Sequence, residues 1–149
     1  MGLYQQLQER HEQNIPLRVG VVGAGKFGTM FLAQALRIPG VHVVGVADLR
    51  IDVAKSNMIY AGWSAERMEA ASLDAALQSG KTHVGQDAMA MINHHGVDIV
   101  VECTGNPVIA VDHALAAFAA GKHVISATVE ADAVCGAALV ARAKAAGVI

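Results

Sequence analysis

An α/β fold, built as a doubly wound parallel sheet with helices on both faces, is what this sequence predicts. Three observations carry that reading. Short β-branched runs recur along the chain, at 17–22, 41–47, 97–102 and 123–126. The stretches between them are of helix length and rich in Ala, Leu and Met. A glycine stands just ahead of three of those runs, at Gly40, Gly96 and Gly121, where a helix end favours a residue that enters the left-handed region cheaply. Apolar runs without polar alternation are strands buried on both faces. Strands alternating with helices form a parallel sheet.

The elements follow in order. A short N-terminal helix is expected near 3–12, with Leu3 and Leu7 on one face. The first strand is Leu17 to Val22, and a helix follows from about Lys26 to Arg37. The second strand is Val41 to Ala47. The connection from about Ile51 to Ser79 is mostly helical and splits near Gly62-Trp63, with Met58 and Trp63 as core or domain-contact residues. A short third strand lies around Thr82-His83-Val84, and Asp87 caps a helix to about His94. The fourth strand is Val97 to Glu102. Pro107 then opens a helix, at the turn where a missing N–H costs nothing. The fifth strand is His123 to Ser126, and the last helix covers about Ala131 to Ala146. Gly147-Val148-Ile149 repeats the glycine-then-strand phrase. The expectation is about five strands plus the start of a sixth. Residues 1–149 form one domain on this reading, the N-terminal part of something longer whose substrate domain is not present.

Composition narrows the function classes. The chain has 149 residues, enough for one well-filled core. With 54% hydrophobic and 16% charged residues it is not a disordered chain. No apolar run reaches the roughly 18 residues of a spanning helix. The net charge of −2, without a Lys/Arg cluster, argues against nucleic acid or an anionic membrane as partner. MGLYQQLQERHEQN lacks the apolar core of a signal peptide, and Gln6 stands where a myristoylation signal needs Ser or Thr. Two cysteines, Cys103 and Cys135, form no C-x-x-C pair and fit a reducing cytoplasm.

The first strand runs into Gly23-Ala24-Gly25-Lys26-Phe27-Gly28, which is G-x-G-x-x-G. In this pattern Gly23 allows the tight turn, Gly25 lets a pyrophosphate reach the backbone, and Gly28 lets the helix pack on the strand. The helix start adds free N–H groups and a positive dipole end. Alone the motif is weak: a chain with this glycine content produces it by chance about one time in seven. Context strengthens it. The motif follows a strand, opens a helix, and lies 20 residues before Asp48 at the end of the second strand, where an acid would bind the adenosine ribose. The predicted fold is therefore Rossmann-type and the cofactor NAD(P)H. Asp48 would repel a 2′-phosphate, and Arg50 could pair with one, so NADH and NADPH both stay open. A P-loop is excluded, because Phe27 replaces the required hydroxyl and Gly20 lies inside the strand. Methyltransferases also place an acid on strand two, but the glycine spacing fits dinucleotides better.

The other strand ends extend the site. Glu102-Cys103-Thr104-Gly105-Asn106-Pro107 would face the glycine loop across the switch point, so Cys103, Thr104, Gly105 and Asn106 join the candidate cofactor contacts. Thr104 and Gly105 would lie toward the nicotinamide. Cys103 has no base at a recognisable spacing and reads as a small buried residue rather than a nucleophile. Glu130 and Asp132 read as acids at a helix start. Adjacent His94 and His95 diverge by about 100° on a helix, and no Cys, Asp or Glu completes a metal set in sequence. No metal ligand and no catalytic residue is assigned.

LRVGVVGAGKFG, VVGVADLR, VDIVVECTGNP and GKHVISATVEADAV together resemble the homoserine-dehydrogenase-like oxidoreductases. They are most similar to the branch whose longer members carry a C-terminal SAF domain, which includes the 1-deoxy-D-xylulose 5-phosphate reductoisomerase-like enzymes of isoprenoid precursor synthesis. The resemblance covers essentially the whole chain, and only the cofactor-binding part of such enzymes. It carries over Gly23, Gly25, Gly28 and Asp48. One departure matters: homoserine dehydrogenases bear Thr-Ala-Asn-Lys after the fifth strand, and here Ser126-Ala127-Thr128-Val129 puts Val129 where the catalytic Lys belongs. That argues against homoserine as the substrate.

The resemblance implies hydride transfer between a nicotinamide and a small carbonyl or hydroxyl substrate. In the closer branch a sugar phosphate would be rearranged and reduced with NADPH and a divalent metal, the metal held only by the missing part. Full-length copies are expected to form a homo-oligomer. A rival of another class is a non-catalytic dinucleotide-binding or redox-sensing module.

Overall fold

The computed structural model describes residues 2–149. Its β-branched runs form a five-stranded, wholly parallel sheet: β1 (Leu17–Val22), β2 (Val41–Ala47), β3 (His83–Gly85), β4 (Ile99–Glu102) and β5 (His123–Ser126). The strand order is β3-β2-β1-β4-β5, so the direction of winding reverses between β1 and β4. This is the Rossmann-like α/β fold, and a ligand crevice belongs at that reversal, outside the strands' carboxyl ends.

Helices cover both faces: α1 (Leu3–Glu12), α2 (Lys26–Ala35), α3 (Ile51–Tyr60), α4 (Leu73–Ser79), α5 (Ala88–Asn93), α6 (Pro107–Ala119) and α7 (Val129–Ala146). One face of the sheet packs Val19, Val21 and Val46 against Leu32 of α2 and Met58 of α3. Trp63 is core, closing that layer by donating its indole N–H to Leu32 O at 3.1 Å. The other face packs Val22, Val100 and Ala47 against Met91 and Ile92 of α5 and Ala117 of α6. Met91 presses on two mid-strand glycines: a Cβ would sit 2.8 Å from its sulfur at Gly45 and 3.2 Å from it at Gly20.

Element boundaries differ from expectation in instructive places. α2 stops at Ala35, because the chain tightens into i−3 bonds from Arg37 N–H to Gln34 O and Ile38 N–H to Ala35 O. The long connection splits at Gly62 as expected, with a single 3₁₀ turn at Glu66–Met68 between its helices. β3 begins one residue late, since the Thr82 N–H goes to Arg67 O and its hydroxyl to Val43 O. β4 begins at Ile99 because Val97 N–H turns back to His94 O. α7 begins two residues early, at Val129. Val148 and Ile149 form no assigned strand, although Val124 N–H donates to Ile149 O at 2.8 Å on the outer edge of β5. Among the described residues no helix is long and apolar enough to cross a membrane.

Candidate functional site

The glycine turn sits at the carboxyl end of β1, touching the loop that leaves β4. Gly23 has φ +91°, and a Cβ on it would lie 2.8 Å from Cys103 O, so a side chain fails there twice over. Gly28 packs α2 onto the turn: a Cβ would overlap Gly23 O at 2.0 Å. Gly25 is different. Its backbone is ordinary (φ −75°), and a Cβ on it would meet nothing within 4 Å. Nothing in the chain itself asks for a glycine at that place. The first α2 bond runs from Thr29 N–H to Gly25 O, which leaves the N–H groups of Lys26, Phe27 and Gly28 without intrahelical partners, beside the space Gly25 keeps open.

Asp48 ends β2 and closes the turn from the other side. Its Oδ2 accepts the Ala24 N–H and its Oδ1 accepts the Arg50 N–H, both at 2.9 Å. Ala24 is fully committed, since its carbonyl also accepts from Asn57 Nδ2 at 2.8 Å and from Thr29 Oγ1 at 3.1 Å.

A cleft of about 490 Å³ opens over these groups. Of the residues singled out in sequence, Gly23, Gly25, Asp48, Arg50, Cys103, Thr104 and Asn106 line it. Ala24, Lys26, Phe27, Gly28 and Gly105 do not. Ala24 is buried, and Lys26 and Phe27 point outward as exposed residues of the first α2 turn. The remaining walls come from the ends of β1 and β2 (Val22, Ala47), the loops after β2 and β3 (Leu49, Gln86), the start of α5 (Ala88) and α6 (Ile109, His113).

Beneath the cleft lies a polar cluster to which the sequence reading gives no role. Glu102, at the end of β4, is 1% exposed. It accepts the N–H of Thr104 at 3.1 Å, the Thr104 hydroxyl and the Thr128 hydroxyl. Thr128 Oγ1 in turn accepts the Gly105 N–H at 3.1 Å. His113 Nδ1 lies 3.5 Å from Glu102 Oε1, at the outer edge of hydrogen bonding and so chiefly an electrostatic contact. Burial alone would raise the Glu102 pKa. The nearby His113 ring and the donors from Thr104 and Thr128 together outweigh it and hold the carboxyl below its ordinary value. The one sequence signal was an acid ending the apolar run IVVE.

Burial, aided by the charge of Glu102, pushes the Cys103 thiol up to about 12. It is not a nucleophile at neutral pH. Asn106 spends its side-chain oxygen capping α6, on the N–H groups of Val108 at 3.1 Å and Ile109 at 3.2 Å. Glu130 and Asp132 are exposed acids in the first turn of α7.

The histidine pair needs a correction: an acid does complete the trio. Asp74 Oδ1 lies 3.2 Å from His94 Nε2 and 3.8 Å from His95 Nε2. The arrangement is nonetheless an electrostatic contact rather than a ligand set. His94 Nδ1 accepts the Gly96 N–H at 3.1 Å, which puts the ring proton on Nε2, facing Asp74, where a metal would need a lone pair.

Comparison with known proteins agrees with this geometry. The family model of the homoserine dehydrogenase NAD-binding domain matches residues 19–149. A homoserine dehydrogenase from Thiobacillus denitrificans is similar over 89% of this chain and 28% of that one, at 25% identity and a TM-score of 0.69. An NAD-binding oxidoreductase from Klebsiella pneumoniae is similar over 89% of this chain and 33% of that one, at 22% identity and a TM-score of 0.63. A biliverdin reductase from Synechocystis, solved with biliverdin and NADP⁺, is similar over 90% of this chain and 36% of that one, at 24% identity and a TM-score of 0.57. The last two likenesses are of fold alone. This chain thus spans 28–36% of the length of these three structures. No curated protein sequence matches it.

Proposed function

This chain belongs to the family of homoserine dehydrogenase NAD-binding domains, and from that premise we propose that it is the single cofactor domain of a cytoplasmic oxidoreductase that reduces or oxidises a small carbonyl or hydroxyl compound. The observation that carries the reading is Gly25, a glycine with ordinary backbone and open space where a Cβ would go, beside three unpartnered helix N–H groups. That is the cradle a pyrophosphate needs. Gly23, Gly25 and the start of α2 would hold the pyrophosphate, and Thr104 and Asn106 would border the nicotinamide side. Asp48 would take the adenosine ribose hydroxyls. The bound nicotinamide supplies the hydride chemistry, and the protein's part is to bind and orient it.

The ligand we infer is NADH rather than NADPH. Asp48 is tied through both carboxylate oxygens to backbone N–H groups, so it cannot swing aside for a 2′-phosphate. The test is titration of the purified protein with NADH and NADPH, with Gly25→Val as control. Tight NADH binding that Gly25→Val abolishes supports the reading. Binding that survives the bulky Val overturns the pyrophosphate assignment.

For the whole protein, a sugar phosphate is the favoured substrate class, from the likeness to the SAF-domain branch and from Val129 in place of Lys, and the NADH inferred from Asp48 departs from the NADPH which that likeness implies. Val129 opens α7 and is 66% exposed, so the position faces outward without a charge to offer. Exposed Ile125, Val134 and Val140 on β5 and α7 favour further contacts of this face, including contacts between copies. A module that binds cofactor without turnover, or senses redox state, is the second reading, favoured by Val129 where the catalytic Lys would stand. Assay of the full-length protein for NAD(P)H consumption with phosphorylated sugars separates the two.

A further inference from the structure

Resting on the dinucleotide reading above, we propose that His113 is a direct contact for the adenosine end of the ligand and that Glu102 is the residue that orients it. His113 lies on α6 one turn beyond Ile109, and both line the cleft. The residue is only 7% exposed. Its Nδ1 is buried with no close hydrogen-bond partner, the nearest acceptor being Glu102 Oε1 at 3.5 Å. A buried imidazole and a buried carboxylate left this loosely paired are costly. The cost is met when something tightens the pair.

The ring's other nitrogen gives the means. Nε2 has no protein partner among the described residues and, unlike Nδ1, is not a buried atom. The open space that His113 borders is the cleft. With Nδ1–H directed at Glu102, Nε2 presents a lone pair to that space. Glu102 cannot turn to follow another donor, since Thr104 and Thr128 hold its two oxygens. It therefore fixes both the tautomer and the ring plane, which makes it a positioning residue.

The chemistry of the neighbouring walls says what Nε2 would meet. Leu49, Ala88 and Ile109 are apolar and line the same cleft as Asp48, suited to a flat base beside a ribose. A lone pair there needs a donor. At the adenosine end of a dinucleotide the donors are the 6-amino group and the ribose hydroxyls. A ligand bond to Nε2 would draw the ring in and shorten the Nδ1–Glu102 contact, as such pairs tighten on ligand binding.

The experiment titrates wild type, His113→Phe, His113→Gln and Glu102→Gln with NADH, ADP-ribose and nicotinamide hypoxanthine dinucleotide, checking each variant's fold by thermal melting. His113→Phe should weaken NADH and ADP-ribose about tenfold, the worth of one hydrogen bond to a group left unpaired. His113→Gln, which keeps an acceptor, should recover most of that. If the amino group is the donor, the hypoxanthine analogue binds wild type as weakly as NADH binds His113→Phe. If a ribose hydroxyl is the donor, the analogue binds like NADH. In ¹⁵N spectra of the imidazoles, a further variant, Glu102→Leu, which leaves no acceptor facing Nδ1, should move His113 off the Nδ1–H tautomer, while Glu102→Gln, which keeps one, should move it less. Wild type that binds NADH while His113→Phe and His113→Gln bind within twofold of it overturns this proposal and leaves the dinucleotide reading standing. Wild type that binds neither NADH nor ADP-ribose overturns both.

Discussion

Asp48 holds the N–H of Ala24 at 2.9 Å, joining the end of β2 to the middle of the glycine turn. The acid that the spacing marks as a ribose ligand is thus also a strut of the loop it serves. Its second oxygen steadies the start of the next loop through Arg50 N–H. Fold and specificity share one carboxylate.

Replacing Asp48 therefore has two readouts. Asp48→Ala removes two charge-assisted bonds to backbone and should cost about 1–3 kcal/mol in urea denaturation. It should also remove the repulsion toward a 2′-phosphate, bringing the NADPH and NADH dissociation constants together. A variant that loses stability but keeps a strong NADH preference would show that Arg50 or another group sets the choice.

Gly25→Val and Gly23→Ala should separate binding from folding. Gly25 has ordinary φ and open space, so Val there should leave stability within about 0.5 kcal/mol of wild type while abolishing cofactor binding. Gly23 has φ +91° and faces Cys103 O, so even Ala should cost about 1–3 kcal/mol. Melting curves and NADH titrations on both proteins check this. The reverse pattern would mean that the turn holds no ligand.

Cys103 should resist alkylation. Its thiol is pushed up to about 12 by burial and by the nearby Glu102 charge. The thiolate that reacts is then scarce at pH 8. Iodoacetamide at pH 8, followed by mass spectrometry of peptides, should modify Cys103 far more slowly than a free thiol such as glutathione. Fast labelling would place an activating group near it that the present geometry lacks.

What was legible in the sequence was local. The glycine turn, Asp48, the Asp87 cap and the Pro107 helix start are each fixed by neighbours within a few residues or by one fixed spacing. What was not legible depends on register between elements. Glu102 and His113 meet only because α6 returns over β4, and no spacing rule predicts that 102 faces 113. Asp74 reaches His94 because the first turn of α4 lies beside the end of α5, a fact hidden by the residues between them. The start of α7 was misplaced for a related reason: Thr128 occupies the cap position, but its hydroxyl goes to Glu102 rather than to the helix, so the usual cap signal is diverted.

The Arg18–Asp98 pair gives a pH prediction away from the site. Arg18 donates to Asp98 three times, from Nη2 at 2.7 Å, from Nε at 3.0 Å and from its backbone N–H at 2.9 Å. Partial burial alone would raise the Asp98 pKa, but those three bonds outweigh it and lower it below 3.8. A carboxyl depressed on folding stabilises the native state fully above its unfolded pKa and loses that contribution as pH falls through the folded one. The bond network joins β1 to the entry of β4, the two strands that flank the cleft. Asp98→Asn should therefore lower the melting temperature at pH 7 and lower it by less at a pH well below 3.8, where wild type loses part of the same interaction. Equal losses at both pH values would show that Asp98 acts through its shape and backbone bond, with no contribution from its charge.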